Sequence, residues 1–328
     1  MQPLIQVLGL AQHFPIKTGL FQRPSGWIRA VDGIDLEIPP NQMFGLVGES
    51  GSGKTTVGRA ILRLYQPTAG KIMFKGQDIL KTGPSEIKQL RSKIQIIFQD
   101  PHASLNPRMR IGTIIKRTLD IHGLGTRKEK QARTLELMQL MGLLPEHYNR
   151  FPHELSGGQQ QRVGIARAIA ADPEFVVMDE PTSSLDVSVQ AQILNLLKTL
   201  QQDFQLGCLF ISHDMRVIHH ICNRVAVMYV GKIVEVADRD SLFRSPKHPY
   251  TQVLISSIPD IGTGRRRVRT VLKGDVPSPA APPPGCRFHP RCPQRLEKCH
   301  RIEPKLTAVA DGHLCACWVH EDSPFARS

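Results

Sequence analysis

The stretch Gly48-Glu49-Ser50-Gly51-Ser52-Gly53-Lys54-Thr55-Thr56 decides the fold of this chain. It fits the pattern G-x-x-x-x-G-K-[ST], in which a glycine-rich loop joins a strand to a helix. The apolar run 43–47 before it is typical of a strand, and residues 57–64 after it are typical of a helix. Glycines let successive backbone N–H groups point at phosphate oxygens, and the helix start adds partial positive charge. The sequence therefore predicts an α/β fold that binds a nucleotide through its phosphates.

Two side chains of this loop have expected roles. Lys54 is expected to reach the β- and γ-phosphates, and the Thr55 hydroxyl is expected to ligate Mg²⁺. A second apolar run, 175–178, ends in Asp179 and Glu180. Ligands of parallel sheets lie at the carboxyl ends of strands. We therefore expect Asp179 to take part in binding Mg²⁺ and Glu180 to orient the attacking water. An ordinary acidic strand end is the alternative.

Two more polar residues follow apolar runs of strand type. Gln99 follows residues 94–98, and His213 follows residues 208–212. Next to a nucleotide, Gln99 can bind Mg²⁺ or the attacking water, and His213 can contact the γ-phosphate. The alternatives are a plain strand terminus for Gln99 and a structural or solvated histidine for His213.

A second glycine-rich stretch, Leu155-Ser156-Gly157-Gly158-Gln159, precedes a predicted apolar helix over 163–171 and indicates a second anion site. In order and spacing, six elements of the chain resemble those of the ATP-binding subunit of ABC transporters, and the resemblance covers residues 4–255. They are the Walker A loop (48–55), the Q-loop glutamine (Gln99), the signature (155–159), the Walker B strand (175–180), the D-loop (183–186) and the switch histidine (His213).

The resemblance implies a P-loop NTPase fold of the ABC ATPase type. Its parts are a RecA-like core, an antiparallel β subdomain, here expected from residues 5–14, 29–38 and 71–74, and a helical subdomain at about 100–165. Within the helical subdomain we expect helices over 112–119 and 127–141. The ATP-binding domain is expected to span 1–255, followed by a small Cys-rich extension over 256–328.

The resemblance also implies a head-to-tail dimer of ATPase chains. Each ATP is then held between the Walker A loop of one chain and the signature of the other. The signature residues Ser156, Gly157, Gly158 and Gln159, with Asp186 of the D-loop, belong to the site of the partner's ATP.

The adenine is expected to stack on an aromatic residue near the N-terminus. Phe14 is the best match to the position that this ring occupies in the family. Phe21 and Trp27 are competitors, and both lie in a predicted loop over 16–29.

Finer phrases resemble the dipeptide and oligopeptide importers within the family. These phrases are residues 99–107 and 246–251, followed by a Pro-rich tail with cysteines, while residues 13–21 resemble the second of two paralogous ATPases. The implied partners are that paralogous ATPase in a heterodimer, two multi-pass permease subunits and an extracytoplasmic solute-binding protein. The implied location is the cytoplasmic face of the inner membrane. Related importers of nickel, glutathione and other small solutes share much of this pattern and remain an alternative.

Five of the seven cysteines lie near the C-terminus, spaced C-x5-C-x6-C-x15-C-x-C. Disulfides are a poor explanation in a cytosolic chain, and zinc ribbons favour C-x-x-C pairs, which are absent. The spacing resembles the C-terminal motif of peptide-importer ATPases, which is associated with a [4Fe–4S] cluster. The resemblance implies Cys286, Cys292, Cys299 and Cys317 as ligands, with Cys315 to spare. Zinc and free thiols remain alternatives.

Composition limits the function classes. No apolar run approaches the roughly 18 residues of a membrane span, and no secretory signal is evident, so we expect membrane attachment through partners. The net charge of +13 suits an anionic membrane surface, and no nucleic-acid partner is expected. Soluble ABC proteins of ribosomes or chromosomes carry two ATPase domains or a long coiled coil, and this chain shows one domain and no heptads. A redox enzyme is disfavoured because flavin and nicotinamide signatures are absent.

Overall fold

The computed structural model describes residues 2–19, 23–258 and 274–321. These residues fall into two compact units. Unit 1 contains residues 2–4, 38–43 and 77–210, and unit 2 contains 5–37, 44–76 and the described residues from 211 onward. The predicted boundaries at 255 and around 100–165 stay predictions.

The elements of the chain alternate between strands and helices, as an α/β fold requires. The first are β1 (Ile5–Thr18), β2 (Arg23–Ile38), β3 (Met43–Val47), α1 (Lys54–Ile61), β4 (Ala69–Phe74), β5 (Gln77–Asp78), α2 (Pro84–Lys93), β6 (Ile94–Ile97), α3 (Pro101–Ser104), α4 (Ile111–His122) and α5 (Arg127–Leu140). The others are α6 (Gly157–Ile169), β7 (Phe175–Asp179), α7 (Val187–Asp203), β8 (Gly207–Ser212), α8 (Met215–Ile221), β9 (Arg224–Tyr229), β10 (Lys232–Asp238), α9 (Arg239–Arg244), α10 (Pro249–Ser256), β11 (Thr307–Ala310) and β12 (His313–Cys315).

Unit 2 contains the antiparallel sheet expected from the sequence. Strands β2, β1 and β4 are neighbours in this order, and β1 runs antiparallel to β4 with Ile5 opposite Phe74. The prediction of a loop over 16–29 was wrong, because β1 extends to Thr18 and β2 begins at Arg23. Isoleucine and tryptophan favour strands, and the Ser25 hydroxyl donates to the carbonyl of Ile16 at 3.2 Å.

A second group of strands in unit 2 carries the Walker A loop and the C-terminal residues. Its order is β11, β12, β10, β9 and β3. Strand β3 is parallel to β9 and fully buried, which explains its continuous apolar run. Strand β12 pairs with β10, placing Cys315 opposite Glu235. The C-terminal residues are therefore built onto the sheet through β10.

Unit 1 contains the Walker B strand and the helices of the region 100–165. Strands β6 and β7 are parallel neighbours, and β7 is fully buried. The two predicted helices are confirmed as α4 and α5, which are joined by an ion pair of 2.9 Å between Lys130 and Asp120. The helix predicted over 163–171 begins earlier, at Gly157, because the Ser156 side chain caps it.

The helices of the described residues are also informative about membrane insertion. None of the helices within 2–19, 23–258 and 274–321 has both the length and the apolar content of a membrane span.

Candidate nucleotide-binding site

The Walker A loop joins β3 to α1 in unit 2, and two of its glycines have no room for a side chain. A Cβ atom on Gly48 would lie 2.1 Å from the carbonyl oxygen of Met228. Gly53 has φ of +106°, and a Cβ there would lie 2.1 Å from the carbonyl oxygen of Ala30. Gly51 also has a left-handed φ of +77°, but open space surrounds it. Gly48 and Gly53 are therefore needed because neighbouring backbone leaves no room for a Cβ atom. Gly51 and Gly53 are needed because their φ is left-handed.

Lys54 lies folded over this loop. Its side chain is 4% exposed, and Nζ donates to the carbonyl oxygens of Gly48 at 2.8 Å and Glu49 at 2.9 Å. Thr55 follows as the second residue of α1 and is half-buried. Within the described residues no side chain caps the start of α1, so its first N–H groups are suited to bind an anion.

Phe14 lies on β1 in the same unit and is half-buried. Its ring packs edge-on against Tyr65, with centroids 5.4 Å apart and an interplanar angle of 81°. Of the two competing rings, Trp27 is 52% exposed, and Phe21 lies outside the described residues. The two rings are therefore nearly perpendicular to each other.

His213 is exposed in the turn between β8 and α8. The turn is fixed on both sides of it, because the N–H of Asp214 donates to the Ser212 hydroxyl at 3.0 Å. The Asp214 carboxylate in turn accepts from the N–H of Arg216 at 2.8 Å and caps α8. Hydrogen bonds therefore hold the backbone on both sides of His213 in place.

In unit 1, Asp179 and Glu180 occupy different environments. Asp179 ends β7 and is 3% exposed, whereas Glu180 is half-buried in the turn that follows. Glu180 has φ of +47°, a left-handed conformation that is uncommon and costs about 1–3 kcal/mol for a non-glycine residue. The N–H and hydroxyl of Ser183 both donate to the carbonyl of Glu180, at 3.2 and 3.1 Å. Such strain is typical of functional positions.

Unit 1 brings the Q-loop, the D-loop and the signature helix together. The Ser184 hydroxyl donates to the carbonyl of Gln99 at 3.3 Å. Gln161 of α6 donates through Nε2 to the carbonyl of Phe98 at 3.4 Å. Both bonds use main-chain oxygens, so the Gln99 side chain remains exposed. A movement of the Q-loop is thereby linked to the D-loop and to α6.

The signature forms the first turn of α6. Ser156 is the N-cap, its hydroxyl accepts from the N–H of Gln159 at 3.3 Å, and the Gln159 side chain accepts from the N–H of Ser156 at 2.9 Å. This reciprocal capping box fixes the loop. A Cβ on Gly158 would lie 2.6 Å from Cγ1 of Val189 on α7, a helix whose N-cap is the exposed Asp186. Gly157 and Gly158 therefore lie at a helix start that is closely packed on one side.

We call residues 286–317 the cysteine segment. Burial, with the neighbouring thiols of Cys299, Cys317 and Cys292, raises the pKa of the Cys286 thiol to about 12. Burial also raises the pKa of Cys317 to about 11, and raises that of Cys292. The N–H of Cys286 donates to the carbonyl of Cys299 at 2.9 Å, so the backbones of these two cysteines are in contact. Among the residues that the structure describes, no group of three or more His, Cys, Asp or Glu is arranged to hold a single metal ion.

The sulfur of Cys299 accepts a hydrogen bond from the backbone N–H of Leu296 at 3.4 Å. Cys315 differs, because burial, the Glu235 carboxylate and the neighbouring thiols together raise its pKa. It ends β12 and is fully buried.

Three residues near the Walker A loop were not singled out from the sequence. The side chain of Glu49 lies against Arg291, and the N–H of Glu49 donates to the Tyr250 hydroxyl at 2.9 Å. Tyr250 belongs to the phrase 246–251, which was used only to recognise a branch of the family. Glu49 and Arg291 are separated by 242 residues, so no local pattern points to their contact.

Comparison with known proteins agrees with this geometry. Residues 31–183 match the family described as ABC transporter, and residues 234–299 match the C-terminal region of oligopeptide/dipeptide transporters. The chain is 47% identical to the oligopeptide transport ATP-binding protein AppF of Bacillus subtilis over 97% of this chain and 98% of AppF. It is 44% identical to the dipeptide transport ATP-binding protein DppF of Escherichia coli, over 97% of this chain and 94% of DppF.

A solved structure shows the same fold. The dimeric ATP-binding cassette MJ0796, in a post-hydrolysis state with ADP and Pi, is 27% identical with a TM-score of 0.64. The match covers 72% of this chain and 98% of the cassette. Together with the full-length relatives and the unbroken ATPase motifs, it shows that the chain belongs to the ATP-hydrolysing subunits of ABC transporters, in the dipeptide and oligopeptide branch.

Proposed function

We propose that this chain energises the import of di- or oligopeptides across the cytoplasmic membrane by hydrolysing ATP. The observation that carries the proposal is the pairing of intact ATPase motifs with a C-terminal region of the peptide-transporter type over residues 234–299. Relatives that match over nearly the whole chain are named for oligopeptide and dipeptide transport. Import of nickel, glutathione or another small solute is the second candidate, because solute choice resides mainly in other subunits.

Different residues of the proposed ATP site would bind the phosphates and the Mg²⁺. The Walker A backbone and Lys54 would cradle the phosphates, for which the glycine geometry and the buried lysine are suited. Thr55, Gln99 and Asp179 would hold Mg²⁺, which neutralises charge on the phosphate oxygens when bound. Hydroxyl, amide and carboxylate oxygens are the ligands that Mg²⁺ prefers.

Two residues would act on the reaction itself. Glu180 would orient the attacking water and draw its proton, and its strained turn supports a functional position. His213 would contact the γ-phosphate from a turn that Asp214 fixes. Gln99, linked through its carbonyl to Ser184, would sense the γ-phosphate and pass its position to the D-loop.

A second ATPase chain would complete each site. Ser156, Gly157, Gly158 and Gln159 at the start of α6, with Asp186 at the start of α7, would contact ATP bound to a paralogous partner chain. The Ser156 cap takes the N–H of Gln159, and the N–H groups of Gly157 and Gly158 before it would be those that the 13-residue α6 offers to an anion. The dimer of the related cassette MJ0796 supports such an assembly. Phe14 would stack against the adenine, and its ring packs in a T-shaped contact with Tyr65.

The remaining partners follow from the proposed transport role. They are two multi-pass permease subunits and an extracytoplasmic solute-binding protein, with this chain on the cytoplasmic face of the inner membrane. The residues after Gln99, over 100–107, include the exposed Asp100, His102 and Asn106 and would form part of the groove that receives a permease helix. In the proposed domain arrangement this groove belongs to a helical subdomain of about 100–165, within an ATP-binding domain of 1–255.

The partners test the transport role directly. Tagged chain would be purified from detergent-solubilised membranes, and the proteins that accompany it would be identified by mass spectrometry. We expect two multi-pass proteins and a paralogous ATPase. Ribosomal or chromosomal proteins without membrane proteins would instead favour a soluble ABC ATPase. Loss of uptake of labelled peptides, but not of nickel or glutathione, on deletion of the gene would then identify the solute class.

We further propose that Cys286, Cys292, Cys299 and Cys317 ligate a [4Fe–4S] cluster in the extension over 256–328. The support is the backbone bond from the N–H of Cys286 to the carbonyl of Cys299 at 2.9 Å and the bond from the N–H of Leu296 to the Cys299 sulfur at 3.4 Å, since hydrogen bonds to sulfur tune and stabilise thiolate ligation. Thiolates that ligate a four-iron cluster lie farther apart than thiolates that ligate a single ion. An arrangement of the four cysteines that does not suit a single ion is therefore compatible with a cluster. Their raised pKa values mean that binding must displace protons. The buried Cys315 would be the spare.

Serine at one ligand position should therefore remove iron. Anaerobically purified Cys286→Ser is expected to lose the cluster's visible absorbance and most of its iron. Cys315→Ser, the matched control two residues from a proposed ligand, should keep both. Iron content would be measured beside zinc content and protease resistance of the cysteine segment. Wild-type protein that carries zinc in place of iron, or Cys286→Ser that retains its iron, would contradict the assignment.

A further inference from the structure

Arg291 joins the cysteine segment to the Walker A loop within unit 2. Its guanidinium donates from Nη1 to Oε2 of Glu49 at 2.9 Å and from Nη2 to Oε1 at 3.4 Å. Nη1 also lies 3.3 Å from the Tyr229 hydroxyl, and the guanidinium packs 6.0 Å from that ring's centroid. The Arg291 side chain is 9% exposed and that of Glu49 is 27% exposed. A two-point, partly desolvated ion pair of this kind fixes direction as well as distance.

Glu49 is held from its backbone as well as from its side chain. Its N–H donates to the hydroxyl of Tyr250, a fully buried side chain on α10. Tyr250, Tyr229 and Phe288 pack together with ring centroids 4.6 to 5.4 Å apart. Phe288 lies between Cys286 and Cys292 in the sequence, and its side chain is fully buried. The aromatic cluster thus connects the cysteines to the second residue of the loop.

A second arginine of the cysteine segment reaches the loop indirectly. Arg287 donates to the carbonyl of Val230 and pairs with the Asp32 carboxylate. The next residue, Gly231, donates its N–H to the carbonyl of Ser52 at 2.9 Å. The cysteine segment therefore contacts the Walker A loop directly at Glu49. It also contacts the loop indirectly at Ser52, through the turn that contains Val230 and Gly231.

We propose that Arg291 is a positioning residue for ATP, which makes the cysteine segment a working part of the nucleotide site. Arg291 of the segment fixes the carboxylate of Glu49, and Phe288 of the segment packs against Tyr250, whose hydroxyl accepts from the Glu49 N–H. In this way the segment sets the curvature of the loop whose other N–H groups face the phosphates. The Glu49 carboxylate itself is directed at Arg291, so its role is to hold the loop and not to bind phosphate. This inference rests on the proposed ATP site and assigns it an anchor from the C-terminal region. Any change that displaces the cysteine segment then weakens ATP binding.

The test is the affinity of the full-length chain for a fluorescent ATP analogue. Arg291→Ala and Glu49→Ala are each expected to weaken binding by about 3- to 30-fold, the range for coupling through intermediate residues. The double variant should be no weaker than the single ones, because both remove the same contact. Arg291→Lys should fall between wild type and Arg291→Ala, since lysine cannot make the two-point contact. In the assembled transporter the change should appear in KM for ATP more than in kcat.

Controls separate positioning from general damage. Arg301→Ala removes an exposed arginine of the same segment and should bind as wild type does. Melting temperature and iron content should match wild type in Arg291→Lys and in Glu49→Ala, which test the pair even if Arg291→Ala fails to fold. Additive losses in the double variant, or unchanged affinity in both single ones, would overturn the inference. If wild type itself fails to bind, or binds no better than Lys54→Ala, the proposed ATP site fails instead.

Discussion

Replacing Glu180 by glutamine is expected to lower ATP turnover by roughly 10²–10⁴-fold while nucleotide still binds, the contribution typical of a positioned general base. The substitution keeps the shape of the side chain but removes the carboxylate that would draw a proton from the attacking water. The left-handed turn at this position is fixed through the main-chain carbonyl, which accepts from Ser183. A change in turnover would therefore reflect lost chemistry and not a rearranged turn.

The measurement is phosphate release by the assembled transporter, beside the affinity for a fluorescent ATP analogue. Because ATP would persist between the two chains, we also expect an ATP-dependent dimer with the paralogous chain to accumulate. Glu174→Gln is the control, because Glu174 precedes β7 whereas Glu180 follows it. The Glu174 carboxylate pairs with Lys93 at 3.4 Å near the surface. That control should hydrolyse ATP as wild type does. Turnover of Glu180→Gln within a few-fold of wild type would remove Glu180 from the mechanism.

The sequence correctly predicted a strand and a helix whose formation depends on residues that are adjacent in the chain. The strand expected over 43–47 is β3 with the same bounds, because a continuous apolar run followed by glycines is typical of a buried strand. The helix expected over 127–141 is α5, which ends one residue earlier at Leu140. Thr126 and Glu129 form a capping box at its start, a signal carried by four consecutive residues.

Where two local signals competed, the sequence was misleading. Glycines at 157 and 158 suggested a loop before a helix, yet α6 begins at Gly157, since the Ser156 cap outweighs the low helix propensity of glycine. Residues 16–29 suggested a loop because they include Gly19, Pro24 and Gly26. Pairing within the antiparallel sheet instead extends β1 and β2 into that range.

The antiparallel sheet was expected from the sequence, but side-chain contacts between distant parts of the chain were not. The pairing of Glu49 with Arg291 and the tilted packing of Tyr250 against Phe288 join residues far apart in sequence. Each residue alone has an ordinary local setting, so only the folded chain shows their relation. The spacing of the cysteines resembled a ligand set, but the backbone bond from Cys286 to Cys299 and the N–H···S bond from Leu296 to Cys299 depend on turns that spacing does not specify.

Alanine at Gly53 is expected to reduce nucleotide affinity below detection, the largest binding effect of any single methyl group in the Walker A loop. Gly53 has φ of +106°, and the added Cβ would lie 2.1 Å from the Ala30 carbonyl oxygen and 2.8 Å from Cε of Met228. The Met228 side chain can move, but the Ala30 backbone belongs to β2 and cannot yield without disturbing the sheet. The loop must therefore change shape, and Lys54, the next residue, moves with it.

Gly51→Ala is the matched control that separates a steric clash from backbone strain. Gly51 also has a left-handed φ, +77°, but nothing lies within 4 Å of an added Cβ. It should suffer only the strain of the left-handed conformation, about 1–3 kcal/mol, and retain measurable though weakened binding. Affinity for the fluorescent analogue and melting temperature would be measured for both variants. Because both carry one extra methyl group in one loop, equal losses would mean that close packing against Ala30 is not what shapes the phosphate site. A complete loss at Gly53 beside a partial loss at Gly51 would mean that the site depends on β2 as a rigid backing for the loop.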